Sequence, residues 1–75
     1  MEWKYIGGSL IKEVYYSDKA TSLYVKSFAN MERHYENVPR PLYEEMMAQE
    51  NVATQEEFFK IRIRDEYPSY SMDEV

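Results

Sequence analysis

Pro39 and Pro41 stand on either side of Arg40 near the middle of the chain. No interior strand can run through them, because neither has an amide hydrogen to give to a ladder. A helix accepts proline in its first turn, where the missing amide has no intrahelical partner to lose. The pair therefore divides the sequence into an upstream part free to be extended and a downstream part poised to start as helix.

Upstream, three runs have strand character. Leu10–Tyr16 alternates imperfectly, with Ile11 out of step, which implies a bulge. Ser22–Phe28 is cleaner, with Leu23 and Val25 on one parity and Tyr24 and Lys26 on the other; a second irregularity is needed to turn Phe28 back toward a core. Met31–Asn37 sets Met31, Arg33 and Tyr35 against Glu32, His34 and Glu36. Turns at Ser17–Thr21, where Asp18 can hydrogen-bond forward to the backbone, and at Ala29–Asn30 join the runs. Gly7 and Gly8 set off the first six residues as an arm or short edge strand.

Downstream, Pro41–Gln49 places Leu42 and Met46, and Tyr43 and Met47, four residues apart in one apolar stripe. Glu44 and Glu45 lie near the positive end of that helix dipole. Thr54 followed by Glu57 reads as a capping box that opens a second helix, Thr54–Arg64. The box matters for Phe58–Pro68, whose alternation also suits a strand with Lys60, Arg62 and Arg64 aligned on one basic edge. As a helix, the segment splays those three cations. Pro68 ends it, and Tyr67 before the proline should be extended.

The expected fold is α+β: a three-stranded antiparallel β-meander with two C-terminal helices packed on one face. It forms a single domain over residues 1–75, with its core at about 9–70, an N-terminal arm at 1–8 and a frayed acidic tail at 71–75. A chain of 75 residues buries only roughly 60% of its unfolded surface, so a few large side chains must carry stability. The expected core is Val14, Tyr16, Leu23, Val25, Tyr35, Leu42, Met46, Phe58, Phe59 and Ile63, and Phe58→Ala should cost roughly 3–5 kcal/mol. There is no cysteine, which removes disulfides, thiolate nucleophiles and thiolate metal sites together.

Fourteen acidic against nine basic residues leave a net charge of −5, which argues against strong sequence-independent nucleic-acid binding. No apolar run approaches the roughly 20 residues that span a bilayer, and the start of the chain lacks the pattern of a signal peptide. The expectation is a soluble, cytoplasmic protein without a membrane partner, monomeric or, through an exposed sheet edge, homodimeric. His34, the single histidine, has no cysteine or nucleophile in a recognisable spacing and reads as a solvent-facing strand residue. Neighbouring residues on a helix project about 100° apart, so Glu44–Glu45 and Glu56–Glu57 read as solvated faces rather than paired catalytic carboxylates. No catalytic residue, cofactor or metal is expected.

Two surfaces remain. Trp3, Tyr5, Tyr15, Tyr24, Tyr67 and Tyr70 exceed what so small a core can hold, and exposed Tyr and Trp are enriched where proteins meet. Strand alternation sends Tyr15 and Tyr24 away from the core. Together with Trp3 and Tyr5 they form the candidate partner-binding set, unless they serve as cross-strand neighbours that stabilise the sheet. The second candidate is Lys60, Arg62 and Arg64 with Tyr67, which could track a nucleic-acid backbone while a ring stacks a base. Four flanking acids, Glu56, Glu57, Asp65 and Glu66, oppose that reading.

The order of elements and certain residues resemble the KTSC family, small domains named for their occurrence at the carboxyl end of some lysyl-tRNA synthetases and also found alone in bacterial and phage proteins. The likeness covers roughly Ser9 to Tyr70 and rests on Tyr35 with Val38-Pro39, Leu42-Tyr43-Glu44 with Met46 and Met47, Phe58-Phe59, Ile63-Arg64 and Tyr67-Pro68. The family's glycines have no counterpart around Asn30 or at Glu56, and Lys60 stands where the family has Asn. The resemblance implies a small interaction module. The functional expectation is a non-catalytic protein-binding module, in one version a small phage-type inhibitor of a host protein. The alternative is an RNA- or tRNA-associated accessory domain using Lys60, Arg62 and Arg64.

Overall fold

The computed structural model describes residues 3–28 and 31–71, the side chains of 70 and 71 excepted. The prolines divide it as their chemistry requires: β2 (Glu13–Ser17), β3 (Ser22–Lys26) and β4 (Glu32–Tyr35) precede them, and α1 (Arg40–Met47) starts between them. Helix α2 (Val52–Phe58) follows and runs into a π-helix, Phe59–Arg64. The fold is α+β, with an antiparallel sheet and a helical layer.

The sheet corrects the three-strand expectation. Two short edge strands flank the central three, β1 (Lys4–Tyr5) and β5 (Ser69–Ser71), in the order β1-β2-β3-β4-β5. β1 is the edge-strand version of the N-terminal arm, pairing Lys4 with Val14 and Tyr5 with Glu13. β5 reaches into the expected tail with Ser71: after Pro68 the chain returns along β4, pairing Tyr70 with His34 and Ser71 with Arg33. This occupies the open backbone groups of β4, a requirement of the sheet that polar Ser-Tyr-Ser does not announce. The remainder of that tail, 72–75, and the expected turn at Ala29–Asn30 lie outside the described residues.

β2 and β4 are shorter than the runs that predict them. β4 stops at Tyr35 because Asn37 takes a left-handed backbone, φ 61°, a conformation asparagine adopts more readily than most residues. At β2, Leu10 and Ile11 turn their amides out of the sheet to Glu56, at 2.7 and 2.8 Å. Gly8 permits that approach, since a β-carbon there would overlap the Glu56 carboxylate. Phe28 stays outside, 52% exposed, against the expectation that a bulge would fold it inward.

The second helix begins with Asn51, not Thr54. Asn51 accepts from the Thr54 amide at 3.0 Å, and the Thr54 hydroxyl accepts from the Asn51 amide at 3.2 Å. The capping box is therefore real but lies three residues upstream of the Thr54/Glu57 reading. At the other end, Asp65 donates to the Lys60 carbonyl, five residues back, at 3.3 Å. In this wider turn Phe59 and Ile63 are buried while Ile61 is 57% exposed. Phe58–Pro68 thus answers as helix and turn for most of its length, and no basic strand forms.

The core fills the space between one sheet face and the helices: Ile11, Val14, Leu23, Val25, Tyr35, Val38, Tyr43, Met46, Phe59 and Ile63. Tyr16, Leu42 and Phe58, expected inside, are only partly buried at its border. Tyr16 has a reason to stay there, because its hydroxyl donates to the Val38 carbonyl at 2.6 Å and its ring stacks on Tyr43 at 4.9 Å. Helix α1 turns Tyr43 rather than Leu42 inward, and Phe59 meets Tyr35 edge-on at 5.3 Å.

Candidate functional site: an aromatic row on the outer sheet face

In a strand, successive side chains leave on opposite faces, so register decides which residues become neighbours. Val14, Tyr16, Leu23, Val25 and Tyr35 go to the helical side, and Tyr15, Tyr24 and His34 go to the other. Tyr15 pairs with Tyr24, and Tyr24 with His34. Their rings form one row across the strands: Trp3 to Tyr15 at 6.0 Å, Tyr15 to Tyr24 at 5.6 Å, Tyr24 to His34 at 4.4 Å and almost parallel.

Three of the four expected partner-binding residues therefore come together. Trp3, Tyr15 and Tyr24 are half-buried, screened largely along the row. Tyr5 lies one row away, opposite Glu13, and is 68% exposed. The sequence reading missed His34 as a member. It points to the expected face but is only 9% exposed, because the Tyr24 ring lies flat against it. The signal was present in the register: once β3 and β4 pair antiparallel, Tyr24 and His34 must meet.

Lys26 holds the far end of the row. Its ammonium lies 4.5 Å from the Trp3 ring centre and 3.9 Å from the Glu13 carboxylate. An ammonium over an indole is attracted by the ring's quadrupole, worth about 0.5–1 kcal/mol where exposed. Each aromatic pair adds about 0.5–1.5 kcal/mol beyond area burial. These contacts fix the side chains before anything binds, which lowers the entropy that binding would cost. Glu13 and Glu32 share this face by strand parity, so the rings stand in an acidic setting.

The basic candidates lie in the helical layer instead. The Lys60 ammonium is 3.7 Å from Glu57, Arg64 is 3.6 Å from Asp65, and the Arg62 guanidinium sits 5.2 Å over the Phe58 ring. Tyr67 is partly buried against the core and donates its amide to the Ile63 carbonyl. The helix thus spreads the three cations, each beside an acid or a ring. Glu56, read from sequence as a solvated residue, instead ties α2 to the loop before β2. Among the described residues, no three His, Asp or Glu side chains gather as a metal site, and no helix is long and apolar enough to cross a membrane.

No protein-family model matches the chain, and no curated protein matches it.

Proposed function

We propose that the chain is a non-catalytic protein-binding module that holds a partner against the outer face of its sheet. The observation that carries this reading is the gathering of Trp3, Tyr15 and Tyr24 into one pre-packed row on the face opposite the helices. Rigid amphipathic rings offer contact area at little entropic cost. Acids around the row and a net charge of −5 select a partner with a basic surface. An inhibitor that covers a host protein's basic, nucleic-acid-binding surface is the specific form we favour.

Kinship with the KTSC domains belongs to the same proposal. What supports it is that Tyr35, Val38, Tyr43, Met46, Phe59 and Ile63, among the residues that carry the likeness, are core residues here. The likeness is one of frame, and the aromatic row lies outside it.

The test is co-purification from cells with the tagged chain, comparing wild type with Tyr15→Ala and Tyr24→Ala after circular dichroism has shown each variant folded. Loss of a protein retained by wild type supports the proposal, and equal retention of every protein by both variants overturns it. Nucleic acid through Lys60, Arg62 and Arg64 is the second reading, held there because the helix spreads the three cations and the net charge is −5. Binding to tRNA with a steep salt dependence, flattened by neutralising those three residues, would reverse the order.

A further inference from the structure

A second site lies on the opposite side of the molecule and does not depend on the sheet-face reading. Between β3, β4 and the π-helix opens a cavity of about 220 Å³. Its walls are almost wholly apolar, formed by Leu10, Val25, Met31, Tyr35 and Phe59 with Ser27, and the side chains of two exposed arginines, Arg33 and Arg64, border it. Met31 is 51% exposed at this site, although solvent is a costly surrounding for so apolar a side chain.

Both arginines retain binding capacity. Arg33 gives one donor to the Ser69 hydroxyl at 3.1 Å, and Arg64 approaches Asp65 only at 3.6 Å on the exposed side. A guanidinium has five donors in a fork that matches a carboxylate. An apolar pocket with two such forks asks for a greasy group next to negative charge. The volume is below the roughly 300–1,000 Å³ usual for whole small-molecule ligands, and suits one anchoring side chain of a longer chain.

We propose that this cavity binds an acidic peptide segment, taking one leucine-sized side chain between Leu10, Met31 and Phe59 while Arg33 and Arg64 hold carboxylates beside it. Met, aromatic and Arg residues around a small pocket are the composition of an interface anchor point. The aromatic row would meet a basic surface; this cavity meets an acidic one.

The probe is a fluorescein-labelled eight-residue peptide with one central leucine flanked by aspartates and glutamates, followed by anisotropy. We expect saturable binding that weakens by at least about tenfold when serine replaces the leucine, and that falls with added salt. Arg33→Gln with Arg64→Gln should weaken it by about fivefold or more, with the thermal midpoint and the Trp3 emission spectrum unchanged. Absence of saturable binding overturns the proposal, as does binding indifferent to the leucine or to the two arginines. Displacement by octanoate with no discrimination between peptides would assign the pocket to a fatty-acid anion and overturn the peptide reading. Binding seen only after deletion of residues 72–75, themselves Met-Asp-Glu-Val, would assign it to the chain's own end, with the same consequence.

Discussion

The two faces of the sheet are built from the same strands and solve different problems. On the helical face, alternate residues meet helices, and Val14, Leu23 and Ile63 reach complete burial. On the outer face the alternate residues meet mainly one another. Trp3, Tyr15, Tyr24 and His34 stand in a row along which neighbouring rings cover one another, and the Tyr24 ring lies flat against His34. Apolar surface enclosed by three-dimensional packing is lost to water for good, whereas a row of rings leaves its upper edges available. The difference separates what holds this protein together from what it offers to others.

Replacing one ring on each face tests that separation, beginning with the largest expected effect. Phe59→Ala removes a buried ring that meets Tyr35 edge-on and should lower unfolding free energy by about 3–5 kcal/mol in urea titration. Phe58→Ala, at the border, should cost clearly less, reversing the weight that the sequence assigns to Phe58. If both cost the same, the core has been drawn in the wrong place.

Next comes the tie between layers. Glu56 accepts two backbone amides from the loop before β2, and hydrogen bonds to charged groups contribute about 1.5–3 kcal/mol. Glu56→Ala should therefore cost about 2 kcal/mol, and Gly8→Ala should be similarly harmful because its methyl would displace the same carboxylate. A Gly8→Ala variant of wild-type stability would show that the approach is looser than the geometry states.

The outer row should respond more weakly. A double-mutant cycle over Tyr24→Ala and His34→Ala should give a coupling of about 0.5–1.5 kcal/mol. Coupling near zero would make the rings independent and remove the pre-packing from the comparison. A coupling as large as the loss at Phe59 would make the row a second core, and the distinction between faces would fail.

The smallest effect is confined to alkaline solution. Burial raises the Tyr16 phenol above the usual 10.0, with Asp18 adding and Arg40 opposing; burial also raises Tyr43, with Arg40 opposing and Glu44 adding. The unfolded chain gives up these protons first, so their contribution is complete below pH 10.0 and is lost as pH rises from there through the folded values. Denaturation midpoints should hold steady up to about pH 10 and then decline. Tyr43→Phe should flatten the decline, and an unchanged slope would show that other groups cause it.

Much of this was legible because it follows from local period. The division at Pro39 and Pro41, the three central strands, both helices and the parity of Tyr15 and Tyr24 all come from spacing within a few residues. What escaped depends on distant partners. β5 is a strand because β4 has an open edge, and nothing in Ser69–Ser71 says so. Glu56 binds amides more than forty residues away in sequence. Thr54 reads from sequence as the N-cap, whereas it stands at N3 and closes the box that Asn51 opens; Asn51 has the same chemistry at the same spacing, and only the geometry separates the two. The π turn at Phe59–Arg64 has no pattern of its own, so the sequence places both Phe58 and Phe59 in the core, and only Phe59 is there. In the candidate site, rings were found by surplus and parity, while the burial of His34 required the pairing of β3 with β4.

Trp3 is the only tryptophan in the chain and stands at the end of the aromatic row, which makes it a single reporter of the outer face. With fluorinated tryptophan incorporated, fluorine NMR of the chain alone and in complex with its co-purified protein partner tests the central claim directly. We expect the one resonance to shift or broaden in the complex, with the change abolished by Tyr15→Ala. A resonance unmoved while the partner is fully bound would contradict the account and place the contact elsewhere.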